Sequence, residues 1–232
     1  MLTVSGLTKR YRAFVALNAL SFSLPDGVIT GLIGPNGSGK STLLNCIAGF
    51  IPCDAGIFSM DGFDISERKS RVQFFSFMPE RLELYPSYFV DEFLLFFERV
   101  TGSRDTKLCE RLGLRQVLDK KIGELSKGYR QRLKLFVALA VRRKITLLDE
   151  PFDGFDPIQL SDIIGVITEE QKKGRTFLVS IHQLHDAEKL CENYMMLHEG
   201  RLIASGTKQC LTEHYRLSSS ASMEDVFVEA LQ

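Results

Sequence analysis

The sequence predicts an α/β fold built on a largely parallel sheet, and three observations carry that prediction. Short apolar runs alternate with amphipathic stretches along much of the chain. One run, 28–33, opens directly into the glycine-rich stretch GPNGSGKST at 34–42, the order strand, tight turn, helix. Another, 145–148, ends in two adjacent carboxylates, Asp149 and Glu150.

Taken in order, apolar runs place strands at 2–7, 20–24, 28–33, 56–60, 72–78, 145–148, 176–181, 194–197 and 202–204. Helices are expected from Gly39, near Phe89, after Gly128 and near Ile158. After Gly128, the residues Leu133, Phe136, Val137 and Ala140 recur at i, i+3, i+4 and i+7, which makes one apolar helix face. The helix near Ile158 closes with Lys172 and Lys173 in its last turn and Gly174 ready for the positive φ of a C-terminal cap. Residues 79–142 read as an inserted helical lobe, whose clustered Phe89, Phe93, Phe96 and Phe97 are expected mostly in its own core. The chain is thus expected to be one domain over 1–232. A catalytic core and its β portion take 1–78 and 143–206, and 207–232 form a C-terminal helical extension that includes a surface turn at SSSAS, 218–222.

Composition narrows the function classes. At 232 residues and 44% hydrophobic content, the chain can bury one sizeable core. Lys plus Arg and Asp plus Glu both total 29, so there is no global positive field and nucleic acid is not an expected partner. The five cysteines, Cys46, Cys53, Cys109, Cys191 and Cys210, are scattered and odd in number, which fits neither a disulfide framework nor a zinc site and points to a reducing cytosol. The first residues lack the organisation of a signal peptide, and no apolar run approaches the roughly 18–20 residues that span a bilayer. Any membrane crossing would fall to a partner.

Gly34, Pro35, Asn36, Gly37, Ser38, Gly39, Lys40 and Ser41 match G-x-x-x-x-G-K-S/T in full. Glycines let successive backbone N–H groups converge on phosphate oxygens, and the helix that starts there adds its positive dipole end. Lys40 then offers a point charge to the β- and γ-phosphates, the Ser41 hydroxyl a ligand to Mg²⁺, and Thr42 a contact to the α-phosphate. The ligand implied is a nucleoside triphosphate. Downstream, Asp149 would orient the Mg²⁺ shell and Glu150 would take a proton from the attacking water.

Between these elements stands LSKGYRQRLKL, 125–135, and here the chain resembles the ATP-binding-cassette (ABC) ATPases, P-loop NTPases with a RecA-like core, an antiparallel β subdomain and an inserted helical signature subdomain. Leu125, Ser126 and Gly128 match the LSGGQ signature, with Lys127 and Tyr129 departing from it. The resemblance covers essentially the whole chain. It implies that Ser126, Lys127 and Gly128 meet the γ-phosphate of ATP held by the other subunit of a head-to-tail homodimer. It also implies that Tyr11 stacks on adenine, that Asp156 in DGFDP contacts the partner subunit, and that His182 at the end of TFLVSIH orders the γ-phosphate. Where the family usually has glutamine, this chain has Glu80, a carboxylate that can still ligate Mg²⁺ but adds negative charge. The forms MPE at 78–80, LSKGY and MEDVFVEAL resemble the bacterial type-two ABC exporters, whose permease is a separate integral membrane polypeptide. The function implied is Mg²⁺-dependent ATP hydrolysis that drives export, at the inner face of the cell membrane. The alternative is a soluble ABC ATPase or nucleotide-sensing regulator acting on a non-membrane partner.

Overall fold

Two sheets with a helix between them position everything that follows. The computed structural model describes residues 1–102 and 105–231; Ser103, Arg104 and Gln232, which fall in the expected helical lobe and C-terminal extension, lie outside the described residues. The first sheet is antiparallel, in the order β2 (Phe14–Leu24), β1 (Leu2–Tyr11), β4 (Ala55–Met60), β5 (Phe63–Asp64). Its inward residues include Leu2, Val4, Leu7, Leu17, Leu20 and Phe58, the half-buried alternation of a one-sided sheet. The second sheet runs β10 (Arg201–Gly206), β9 (Asn193–His198), β3 (Ile29–Ile33), β8 (Thr176–Ser180), β7 (Ile145–Asp149), β6 (Phe75–Met78). Its pairings are parallel except for the β9–β10 hairpin. Strands β3, β7 and β8 are buried at every position, the condition their unbroken apolar runs require.

Helix α1 (Lys40–Ala48) follows β3 and is buried along most of its length. Its Leu43, Leu44 and Ile47 share one hydrophobic cluster with Leu2, Val4 and Phe58 of the first sheet and Leu32, Leu147 and Leu178 of the second. A second cluster covers the opposite face of the parallel sheet and joins Leu133, Phe136 and Leu139 of α5 (Lys127–Ala140) to Ile163, Val166 and Ile167 of α6 (Pro157–Lys172). The expected apolar face of α5 and the Gly174 turn after α6, at φ 91°, are both present.

Three local expectations change. The run from 72 begins in helix, because Val72 closes α2 (Arg68–Val72) and β6 starts only at Phe75. Arg68 and Arg71 donate to the carbonyls of Gly49 and Cys46 at the end of α1, satisfying acceptors that a helix terminus leaves open, and this holds 68–72 in a helical turn. The strand expected at 20–24 extends back to Phe14, since a tight hairpin sets Tyr11 opposite Phe14. Finally, the phenylalanines around α3 (Val90–Thr101) are not mostly core. Phe97 is buried edge-on to Phe136, at 5.8 Å between centroids, and Phe93 packs against the same cluster. Phe96 is 63% exposed and Phe89 is exposed beside it, because α3 meets the lobe along one face only. The C-terminal segment folds as α8 (Lys208–His214) and α9 (Met223–Glu229), the latter capped by Ser222 and packed on α7 (Leu184–Leu190).

Candidate active site

The stretch 34–39 leaves the C-terminal end of β3, the edge at which parallel α/β sheets present ligand sites. Gly34, Gly37 and Gly39 all take positive φ, and Gly39 forms the left-handed N-cap of α1. No side chain caps α1 and its first turn holds no acid, so the backbone N–H groups and positive dipole end are left for an external anion. Ser38 Oγ is buried without a hydrogen-bond partner in the same loop. Lys40 is buried and donates to the carbonyls of Gly34 and Pro35 at 2.8 and 3.1 Å. Burial pulls its ammonium below the usual lysine range, and the nearby Glu150 and Asp149 oppose that shift. A cradle with uncapped donors and a poised cation fits a polyphosphate.

Register supplies the next group. Parallel pairing sets Asp149 opposite Ser180, whose hydroxyl donates to the Asp149 carboxylate at 2.6 Å; the Ser41 hydroxyl lies near enough to favour the same carboxylate. Asp149 is 1% exposed, and burial raises its carboxyl above the ordinary range against those two hydroxyls. A raised acid gives stability that is fully present below its unfolded value of about 3.9 and is lost as pH rises through the folded value. Asp149→Asn is therefore expected to melt above the wild type at pH 7, with the gap closing toward pH 4 in thermal scans.

Glu150 sits where the chain leaves β7, at a left-handed φ of 50°. Two contacts hold that strained backbone: its N–H donates to Ser180 Oγ at 2.9 Å and its carbonyl accepts from Gln131 Nε2 at 2.9 Å. The side chain points to His182, Oε1 to Nε2 at 3.1 Å. Burial raises the Glu150 carboxyl, His182 counters it, and Glu80 and Asp149 add to the rise. Ser180 and Gln131 are positioning residues the sequence reading did not single out. Ser180 is the polar residue that follows the apolar Phe177, Leu178 and Val179 and precedes Ile181, and Gln131 falls three residues after Gly128 and four before Leu135 on the buried face of α5.

Tyr11, Asn36, Gly37, Gly39, Lys40, Ser41, Thr42, Glu80, Glu150 and His182 line one cavity of about 490 Å³. Tyr11 ends β1 with 47% of its surface exposed and the Lys9 ammonium 5.3 Å over its ring. Glu80 is exposed after β6, and its backbone carbonyl accepts from Lys134. The signature residues lie apart. Ser126 caps α5, accepting from Tyr129 N–H at 3.3 Å, and Gly128 is buried at the second position of that helix. Neither faces the cavity that holds Lys40. Lys127 pairs with Asp153 at 2.6 Å and lines an adjoining cavity of about 340 Å³ with Glu80 and Glu150. Asp156 is the N-cap of α6, accepting from Ile158 and Gln159 N–H at 3.0 and 2.9 Å.

A family model described as ABC transporter matches residues 17–153. The chain is 35% identical over 216 residues to the Nod factor export ATP-binding protein I of Burkholderia orbicola, covering 90% of this chain and 71% of that one. It is 30% identical to the linearmycin resistance ATP-binding protein LnrL of Bacillus subtilis, covering 90% and 70% of the two chains. A solved structure described as the ATP binding subunit of an ABC transporter superposes with a TM-score of 0.89 at 28% identity, covering 100% of both. Together with the phosphate cradle and the Asp149–Glu150 edge, these matches place the chain in the ABC transporter family, as an ATP-binding, ATP-hydrolysing subunit.

Proposed function

We propose that two copies of this chain close head to tail around two ATP molecules and that closure and hydrolysis drive export through a separate integral membrane permease, at the cytoplasmic face of the cell membrane. The carrying observation is that Ser126 and Gly128 stand outside the cavity that holds Lys40 and Glu150, so the start of α5 is left for the γ-phosphate of a second copy. Within one copy, Tyr11 stacks on adenine and the 34–39 loop with Lys40 and Thr42 holds the phosphates. Glu150 takes the proton of the attacking water and His182 fixes the γ-phosphate. Asp156 contacts the partner from the head of α6. Residues 79–142 act as the lobe that carries Ser126 toward the other copy's nucleotide. Two relatives, named for Nod factor export and for linearmycin resistance, support the direction.

Ser41 and Glu80 line one cavity, and the Ser41 hydroxyl is near enough to the Asp149 carboxylate to favour its charge; these oxygens suit Mg²⁺. Among the described residues no group of three or more His, Cys, Asp or Glu side chains forms a closed metal site. The ion would complete its shell with phosphate and water oxygens, and would supply charge neutralisation between the phosphates. Glu80→Gln removes one negative charge there and is expected to leave ATP binding intact while shifting the Mg²⁺ requirement of turnover. A titration of ATPase rate against Mg²⁺ checks this, and coincident curves would count against it.

A mixing experiment tests the composite site. Lys40→Ala disables the cradle, whereas Ser126→Asp keeps an equally good helix cap but points a like charge at the phosphate. Each variant alone is expected to be inactive, and equimolar mixing to restore up to about a quarter of wild-type activity, since half of the dimers then carry one intact site of two. No recovery, with both variants folded, would mean that Ser126 does not serve the partner's nucleotide.

A further inference from the structure

The end of α1 and the loop beyond it bring two cysteines together with two buried cations. Cys46 is fully buried on α1, while Cys53, in the loop leading to β4, is partly accessible; both are free thiols. One nitrogen of the buried Arg71 guanidinium donates to the Cys46 carbonyl at 2.6 Å and to the Cys53 sulfur at 3.8 Å. The Cys46 and Cys53 side chains are neighbours, each the largest single influence on the other's thiol. Lys9, also buried, acts on both sulfurs, and its ammonium lies 3.9 Å from Asp54. Read from sequence alone, the cysteines are scattered. These two meet because the chain reverses at Gly49, the left-handed cap of α1.

The nucleophilic form of cysteine is the thiolate, and neighbouring cations and donors favour it. The neighbouring Cys46 thiol, with Arg71 and Lys9, holds the Cys53 thiol down to about 6 against its partial burial. The same contact and burial push Cys46 far up, so the two thiols differ in role. We propose that Cys46 and Cys53 form a reversible oxidation site that a hydroperoxide closes to a disulfide, with Cys53 attacking and Cys46 resolving. The Cys53 thiolate attacks the terminal peroxide oxygen; the O–O bond breaks, the sulfur becomes sulfenic acid, and the alkoxide or hydroxide leaves with a proton. The Cys46 sulfur then attacks Cys53, the S–O bond breaks, and the hydroxide leaves as water with the Cys46 proton. Two thiols and one hydroperoxide give a disulfide, an alcohol or water, and a water. The ring would close over 46–53, between α1, which begins at Lys40, and β1, which ends at Tyr11 and is tied to this loop through Arg10 N–H to Asp54 at 2.6 Å.

The test uses the full chain and hydrogen peroxide, followed by denaturing alkylation and non-reducing peptide mass spectrometry. A Cys46–Cys53 linked peptide is expected, removed by dithiothreitol and absent in Cys53→Ser; in Cys46→Ser, dimedone should trap Cys53 as the sulfenic acid. In unoxidised wild type, iodoacetamide labelling of Cys53 is expected to slow less than about twofold from pH 8 to 6.5, against about twentyfold in urea, where the thiol is ordinary. Oxidation confined to the exposed Cys210, or a pH response of Cys53 as steep in the folded protein as in urea, would overturn the assignment.

Discussion

Glu150→Gln is expected to lower kcat for ATP hydrolysis by about 10² to 10⁴, the range lost with a general base, and to change ATP affinity little. Gln keeps the size of the side chain and an oxygen that can accept from His182, but it cannot take the water's proton. The backbone clamps from Ser180 and Gln131 are untouched by the change, so the side chain stays aimed. ATP binding without turnover should then accumulate the closed state. Size-exclusion light scattering is expected to find a dimer in ATP and none after ATP is removed. In the wild type, the burial that raises the Glu150 carboxyl, reinforced by Glu80 and Asp149, should place the acid limb of the rate profile above the ordinary glutamate range of about 4.3. A Glu150→Gln rate within about threefold of wild type would remove Glu150 from the chemistry and leave its strained backbone unexplained.

Why the site was legible while parts of the fold were not follows from where each signal lives. Gly34–Ser41 and Asp149–Glu150 are local: the candidate residues are adjacent in sequence, and backbone geometry fixes their spacing. Strands β3, β7 and β8 read clearly because burial on both faces demands unbroken apolar runs. Val72 was misread because the helical turn around it depends on arginine contacts to α1, which no local pattern encodes. The exposure of Phe96 was equally hidden: hydrophobicity says that a side chain can be buried, not that a neighbour is present to bury it. Ser180 and Gln131 matter only through register and helix phase against Asp149 and Glu150, a relation between segments about thirty and twenty residues apart. Asp156 illustrates the opposite case, since its capping of α6 is local and its contact with a second copy rests on resemblance.

Gly34→Ala is expected to be the most damaging single methyl in the cradle, and Gly37→Ala a mild one, although both glycines take positive φ. A Cβ on Gly34 would lie 2.1 Å from the Leu197 carbonyl oxygen and 2.8 Å from Ser38 Oγ. The carbonyl cannot retreat, because Leu197 belongs to β9, which pairs along β3 at the neighbouring Ile33–Met196 position and is held from its other side by β10. Relief must come from the loop, and moving Gly34 displaces the carbonyl that receives Lys40. Destabilisation of about 3 kcal/mol or more is expected, in the range of severe steric substitutions, with Tm lower by roughly 6 to 12 °C. At Gly37 an added Cβ meets nothing within 4 Å, so only the left-handed backbone opposes it, about 1 to 2 kcal/mol. Thermal unfolding ranks the two, and binding of a fluorescent ATP analogue separates lost cradle geometry from lost stability. If Gly34→Ala melts within about 2 °C of wild type, the close approach of β9 to the loop is not what shapes the cradle.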